Sequence, residues 1–109
     1  MSSPLISFVV PTFNRVEWIA ECIGSLLAQD EKNIEVIVVD DASTDKTVLL
    51  LKEWLKNEDR FVLIENKENM GGGLSRNVGT FAARAPIIGV CDSDDFYSNI
   101  RAGRILKFF

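Results

Sequence analysis

The sequence predicts an α/β fold, a doubly wound and mainly parallel sheet, from three observations. Four short apolar runs rich in β-branched residues alternate with longer stretches of helical period. The resulting order of strand, helix, strand, helix, strand, helix, strand implies parallel strands joined by right-handed crossovers, with helices on both faces. The 109 residues, 47% of them apolar, suffice for one core and are too few for two ordinary domains.

The first run, Ile6 to Pro11, is the first strand. Trp18, Ile19, Cys22, Ile23, Leu26 and Leu27 then recur at spacings of three and four, which predicts a helix with one buried face. Ile34 to Asp40 is the second strand, and Val48, Leu51, Trp54 and Leu55 mark the second helix. The charge run Lys56 to Arg60 reads as its solvated end. Phe61 to Asn66 is the third strand. A third helix follows Gly71-Gly72-Gly73, carries Leu74, Val78, Phe81 and Ala82 on its apolar face, and ends near Arg84 before Pro86. Ile87 to Cys91 is the fourth strand. Trp18, Trp54, Phe8, Phe61 and Phe81 fall on core-facing positions and need no ligand to explain them.

The expected strand order is 3-2-1-4, with the switch between strands one and four. Ligands of open α/β sheets bind beyond the carboxyl ends of the strands at such a switch. The loops that should converge there are Pro11-Thr12-Phe13-Asn14-Arg15, Asp40 to Asp45, Asn66 to Gly73 and Asp92 to Asp95.

Composition narrows the chemistry. Lysine and arginine number 12 against 16 aspartates and glutamates, a net charge of −4, so no basic field exists for a nucleic-acid backbone. Histidine is absent, which removes the usual general base and the commonest zinc ligand. Cys22 and Cys91 lack both CxxC spacing and the density of a disulfide scaffold, so they read as buried free thiols in a reducing compartment. Met1 to Pro11 resembles neither a signal peptide nor a membrane span. A cytoplasmic location is expected, with the inner face of the membrane as the alternative address.

Asp92-Ser93-Asp94-Asp95 places three carboxylates within four residues after an apolar strand. Like charges this close repel unless a cation sits among them, and a hard divalent ion sharing its shell with phosphate oxygens is the natural partner. The plainer reading is that Asp92 or Asp95 caps a following helix. In the second loop, Asp45 or Thr44 is the expected cap of the second helix. Of Asp40 and Asp41, one could accept hydrogen bonds from a nucleobase while the other supports the loop backbone. Asn69-Met70-Gly71-Gly72-Gly73 could bring N–H groups and a helix N-terminus to an anion, or simply allow a tight turn. It is not a dinucleotide fingerprint, which would follow the first strand. Phe13, in a crevice loop, could pack against a base.

These loops resemble the family 2 glycosyltransferases of the GT-A fold. The matching strings are Ile6 to Arg15, Ser25-Leu26-Leu27-Ala28-Gln29, Val38 to Asp45, Asn69 to Gly79 and Asp92-Ser93-Asp94-Asp95, in family order over nearly the whole chain. The resemblance implies that Pro11 to Asn14 and Asp41 bind the nucleotide, with Asp41 facing the base and Arg76 near the donor. It also implies that Asp92-Ser93-Asp94 is the DxD motif, with Asp94 the direct ligand of Mn²⁺ or Mg²⁺ and Asp92 by the ribose or the metal shell. The candidate nucleotide-binding set is Pro11, Thr12, Phe13, Asn14, Asp40, Asp41, Arg76, Asp92 and Ser93; the candidate metal ligands are Asp94, Asp92 and Asp95. The expected ligand is a nucleoside-diphosphate sugar, with UDP favoured, whose sugar is transferred with inversion to a saccharide acceptor in cell-envelope polysaccharide synthesis, the nucleoside diphosphate leaving.

In the family, the acceptor site and general base come from sequence beyond the position of Phe109. Residues 1–109 therefore read as the donor-binding part of a GT-A domain, cut after the fourth strand, without the acceptor-binding part or any catalytic base, and inactive or nearly so alone. Strand four, Ile87 to Cys91, and the segment Ile105 to Phe109 would then be uncovered and promote self-association. A non-catalytic nucleotide- or sugar-binding module, or an interaction domain, is the competing reading. A phosphotransferase of the haloacid dehalogenase kind fits less well, because its Asp-x-Asp follows the first strand. An EF-hand fails at Phe96 and Gly103, which occupy the positions of oxygen ligands.

Overall fold

The computed structural model describes residues 3–108. Four strands, β1 (Ile6–Thr12), β2 (Ile34–Asp40), β3 (Phe61–Glu65) and β4 (Ile87–Val90), form one sheet. Its order is β3-β2-β1-β4 with every pairing parallel, as the sequence predicts. Helices α1 (Ile19–Leu27), α2 (Thr47–Trp54) and α3 (Gly72–Ala82) make the crossovers. A fourth helix, α4 (Arg101–Leu106), follows the acidic loop at a distance, beyond the three that periodicity marks.

Strand alternation divides the core. Ile6, Phe8 and Val10 of β1 stand beside Ile34, Val36 and Val38 of β2 on one face, where they pack with Ile19, Cys22, Ile23 and Leu26 of α1 and Leu51 of α2. Ala102 of α4 joins this cluster, and Ile105 and Leu106 pack against it, so the expected bareness of the terminal segment does not hold for these two residues. Phe108 is exposed, and Phe109 lies outside the described residues.

The opposite face, with Val9 and Val39, is covered by α3 through its small residues. Ser75 and Gly79 are buried, whereas Leu74 is half exposed and Phe81 is 95% exposed, so the predicted apolar face of this helix is not its packing face. At Gly79 an added Cβ would lie far inside van der Waals contact of Val9 Cγ1 and 3.0 Å from Val39 Cγ2. The helix sits so low on the sheet that only glycine fits there. Periodicity locates a stripe of large residues; close approach selects small ones, which carry no hydropathy signal.

Two other aromatic assignments change. Trp18 and Trp54 are 46% and 44% exposed, Trp18 because it precedes the first turn of α1 and Trp54 because it lies across the surface near Gly24. Phe8 is fully buried and Phe61 is packed against the core, as expected. The predicted solvated charge run ends in an anchored residue, since Arg60 pairs with Glu58 at 3.1 Å and donates to the Leu27 carbonyl.

One buried charge escaped the sequence reading. Glu35, in the otherwise apolar start of β2, is 1% exposed and accepts hydrogen bonds from Ser7 Oγ, the Arg84 N–H at 2.7 Å and Arg84 Nε at 3.1 Å. Burial pushes this carboxyl up, but the Ser7 hydroxyl and then the Arg84 amide and guanidinium outweigh it and hold it below the ordinary value. This network ties the segment after α3 to the amino end of the sheet, away from the loops that build the site.

Candidate functional site

Beyond the carboxyl ends of β1, β2 and β4 lies a cleft of about 410 Å³, lined by Pro11, Thr12, Phe13, Arg15, Asp41, Gly72, Ser75, Asp92, Ser93 and Asp94. Its size falls within the usual range for small-ligand sites. It sits at the switch point because β2 and β4 flank β1 and send their following loops to the same side.

The first two loops are stitched together by Asn14. This residue has a left-handed backbone, φ 52°, and its Oδ1 accepts the N–H groups of Thr44 at 2.8 Å and Asp45 at 3.2 Å, while its own N–H donates to Ser43 Oγ. Asn is suited to this backbone region because its short polar side chain bonds locally. Its side chain therefore holds loop to loop, and Asn14 does not line the cleft. Asp45 takes the Thr47 N–H at 2.9 Å at the start of α2, the capping service expected of it, although Lys46 is the residue at the helix boundary.

Asp40, the last residue of β2, and Asp41, just after it, both serve the loop backbone. Asp40 accepts from Ser43 Oγ at 2.6 Å and Ser43 N at 3.0 Å, and it lies outside the cleft. Asp41 reaches the other way, accepting from Met70 N at 2.7 Å, Gly71 N at 2.9 Å and Asn66 Nδ2 at 2.9 Å. Burial pushes the Asp41 carboxyl up, but the Met70 amide, Asn66 side chain, Gly71 amide and Ser75 hydroxyl together hold it below the ordinary carboxylate value. The glycine loop thus spends two of its N–H groups on a protein carboxylate rather than on a bound anion. Gly71 itself has φ 88°, a backbone that suits glycine.

Thr12 is 3% exposed, and its Oγ1 has no hydrogen-bond partner among the described residues although it belongs to the cleft lining. A buried hydroxyl without a partner is costly, so this one suits a ligand atom or a bridging water. Phe13 is 40% exposed and offers an apolar surface on the same wall. Gly72, from the glycine loop expected to offer N–H groups to an anion, also lines the cleft, as do Arg15 and Ser75, for which the sequence points to no role of their own. Arg76, expected near the donor, does not line the cleft and lies over its own first turn, 3.9 Å from where side chains at Gly72 or Gly73 would begin.

The fourth wall is the acidic loop. Asp92 and Asp94 are exposed and face the cleft, Ser93 is 8% exposed between them, and Asp95 does not line it. Neither Asp92 nor Asp95 caps a helix, because the next one begins only at Arg101 behind Ile100. Among the described residues no three acidic or sulfur ligands gather into a ready-made metal cage. Two exposed carboxylates do fit a hard divalent ion that completes its shell with phosphate oxygens and water. Below the loop, burial pushes the Cys22 and Cys91 thiols up to about 12 and about 11, which keeps both protonated and inert. Both are free, as predicted.

A parallel α/β sheet whose acidic, hydroxyl-bearing cleft opens at the switch point defines a doubly wound ligand-binding domain. Residues 7–109 match the family described as glycosyl transferase family 2. Among curated relatives, the chain is 31% identical over 96% of its length to the putative teichuronic acid biosynthesis glycosyltransferase TuaG of Bacillus subtilis, covering 42% of that protein. Among solved structures it is similar to S. aureus TarS in complex with UDP-GlcNAc, with a TM-score of 0.86 and 32% identity over 94% of this chain and 30% of that one. It is also similar to the mannosyltransferase PcManGT from Pyrobaculum calidifontis in complex with GDP-Man and Mn²⁺, with a TM-score of 0.87 and 27% identity over 97% of this chain and 32% of that one. The chain belongs to glycosyl transferase family 2, has the GT-A fold, and spans between about a third and two fifths of the length of these relatives. No described helix is long and apolar enough to cross a membrane.

Proposed function

We propose that this chain binds the nucleoside diphosphate of a sugar donor, UDP favoured, through Mn²⁺ or Mg²⁺, as the donor-binding part of an inverting glycosyltransferase. The observation that carries the reading is that Asp92, Ser93 and Asp94 line the same cleft as Thr12, Phe13 and Asp41, although the first group follows β4 and the others come from the carboxyl ends of β1 and β2. A similar protein, PcManGT, was solved with GDP-Man and Mn²⁺, and TarS with UDP-GlcNAc, which supports both the ligand class and the cation. Transfer to a saccharide in cell-envelope polysaccharide synthesis is supported by the likeness to TuaG.

The roles follow from the chemistry of each wall. Asp94 and Asp92 would hold the cation, which when bound neutralises the diphosphate as the sugar–phosphate bond breaks. Asp95 stays in the proposal as a source of negative potential beside that pair. Phe13 and Pro11 would flank the base, while the orphan Thr12 hydroxyl and any free lone pair of Asp41 would meet its polar edge. Arg15 is the cleft's cation and would face the phosphates. Asn14 and Asp40 contribute by shaping the loops, and Arg76 would have to swing from its present position to touch a donor.

The test is a calorimetric titration of UDP and of GDP with and without Mn²⁺, on the wild type and on Asp94→Ala. Metal-dependent binding that disappears in the variant supports the reading. No binding of UDP or GDP under either condition would defeat it and leave the non-catalytic interaction domain as the better account. The outer edge of the sheet supports a further proposal, self-association, because Ile88 and Val90 of β4 are 38% and 46% exposed. Ile87 is only part-exposed and Cys91 is buried, so the expected edge is narrower than the whole run. A sample that sediments as a monomer at high concentration would end that proposal.

A further inference from the structure

We propose that Tyr97 is a positioning residue that locks the main chain of the acidic loop, so that Asp92 and Asp94 face the cleft together before any cation arrives. This rests on the donor-site reading above for the identity of the ligand, but the lock itself is read from the loop's hydrogen bonds.

The Tyr97 hydroxyl accepts the Asp92 N–H at 2.8 Å and lies 3.5 Å from the Asp92 carbonyl oxygen, so it bonds across the loop to a residue five positions earlier. Inside this ring the Asp95 N–H donates to the same Asp92 carbonyl at 3.2 Å. The Cys22 thiol of α1 reaches that oxygen as well, at 3.3 Å. Asp92 is thus held at both its N–H and its C=O, leaving its carboxylate free for the cleft.

Tyr97 is itself fixed from behind. Its N–H donates to Ser25 Oγ at 2.9 Å, and Gln29, fully buried just beyond α1, donates to the Ser98 carbonyl at 2.6 Å and accepts the Ala102 N–H at 2.8 Å. The Arg101 guanidinium stacks on the ring, 4.8 Å from its centroid. The last turns of α1 and the residue just beyond it therefore anchor the segment that carries the lock. The loop needs it, because neighbouring carboxylates repel one another and would splay the turn when no cation is present.

Removing only the hydroxyl tests the idea while keeping the ring and its packing. In Tyr97→Phe, amide hydrogen exchange at Asp92 should speed up about tenfold with the β1 and α1 amides unchanged, and Mn²⁺-dependent UDP affinity should fall about fivefold, the value of one net hydrogen bond. Metal-independent UDP binding should not move. Unchanged exchange at Asp92 would overturn the lock, and an equal loss of affinity with and without Mn²⁺ would show general loosening instead of positioning. If the wild type shows no Mn²⁺-dependent UDP binding, the donor-site reading fails, and the Asp92 exchange rate still decides whether Tyr97 holds the loop.

Discussion

Helix α3 offers a paired test on a single element. Gly79 and Gly73 both lie inside it with ordinary helical backbone, and alanine at either should gain up to about 1 kcal/mol of helix propensity. At Gly73 the added methyl meets nothing closer than Arg76 Nη2 at 3.9 Å, so the gain should survive. At Gly79 it meets Val9 and Val39, both fully buried and both β-branched, with little freedom to turn aside. Overpacking of this kind costs about 1–3 kcal/mol, so Gly79→Ala should be net destabilising by about 1–2 kcal/mol and Gly73→Ala stabilising by about 0.5 kcal/mol. Urea unfolding followed by far-UV circular dichroism reads both, with the sign of the midpoint shift as the decisive quantity. Relief of the clash lifts α3 from the sheet and with it Ser75, which lines the cleft, so Gly79→Ala should also weaken UDP binding. A Gly79→Ala protein at least as stable as the wild type would refute the close-approach argument.

Three further outcomes are expected. Glu35→Gln should cost about 1–3 kcal/mol at pH 7, because a charged acceptor of buried hydrogen bonds is lost. Since the Glu35 carboxyl is held below its ordinary value, its contribution is fully present above the unfolded value of 4.5 and is lost as pH falls through the lower folded value. The gap between wild type and variant in urea midpoints should therefore narrow on acidification below pH 4.5, and a gap independent of pH would contradict this. Asn14→Ala should destabilise by about 1–2 kcal/mol and Asn14→Gly by less, because glycine tolerates the left-handed backbone and only the loop-stitching bonds are lost; equal thermal shifts would show that the backbone term is negligible. Asp41→Ala should free the Met70 and Gly71 amides, raising protease sensitivity of residues 66–73 and lowering UDP affinity even without metal; unaltered digestion of that segment would show that the carboxylate does not hold it.

The sheet was legible in the chain because its strands are short apolar runs bounded by polar loops, and because four such runs with helical connections leave few topologies open. Strand order, the crevice and the acidic loop follow from that pattern with no knowledge of side-chain contacts. So do the free cysteines and the core positions Phe8, Ile19, Cys22, Ile23, Leu26 and Leu51. Tertiary structure decided what periodicity cannot encode. The sheet selects small residues where α3 approaches it, so Ser75 and Gly79 go inward and Phe81 outward. Glu35 is stable inside because Ser7 and Arg84, far from it in sequence, converge on it. The same logic divides the loop residues: Asn14, Asp40 and Asp41 all carry polar side chains in the loops that lead to the crevice, and only distances reveal that their bonds are largely made within the protein. Residue type and order named the candidates for ligand contact; hydrogen-bond partners separated those still free to bind, Thr12, Asp92 and Asp94, from those already engaged in holding the loops.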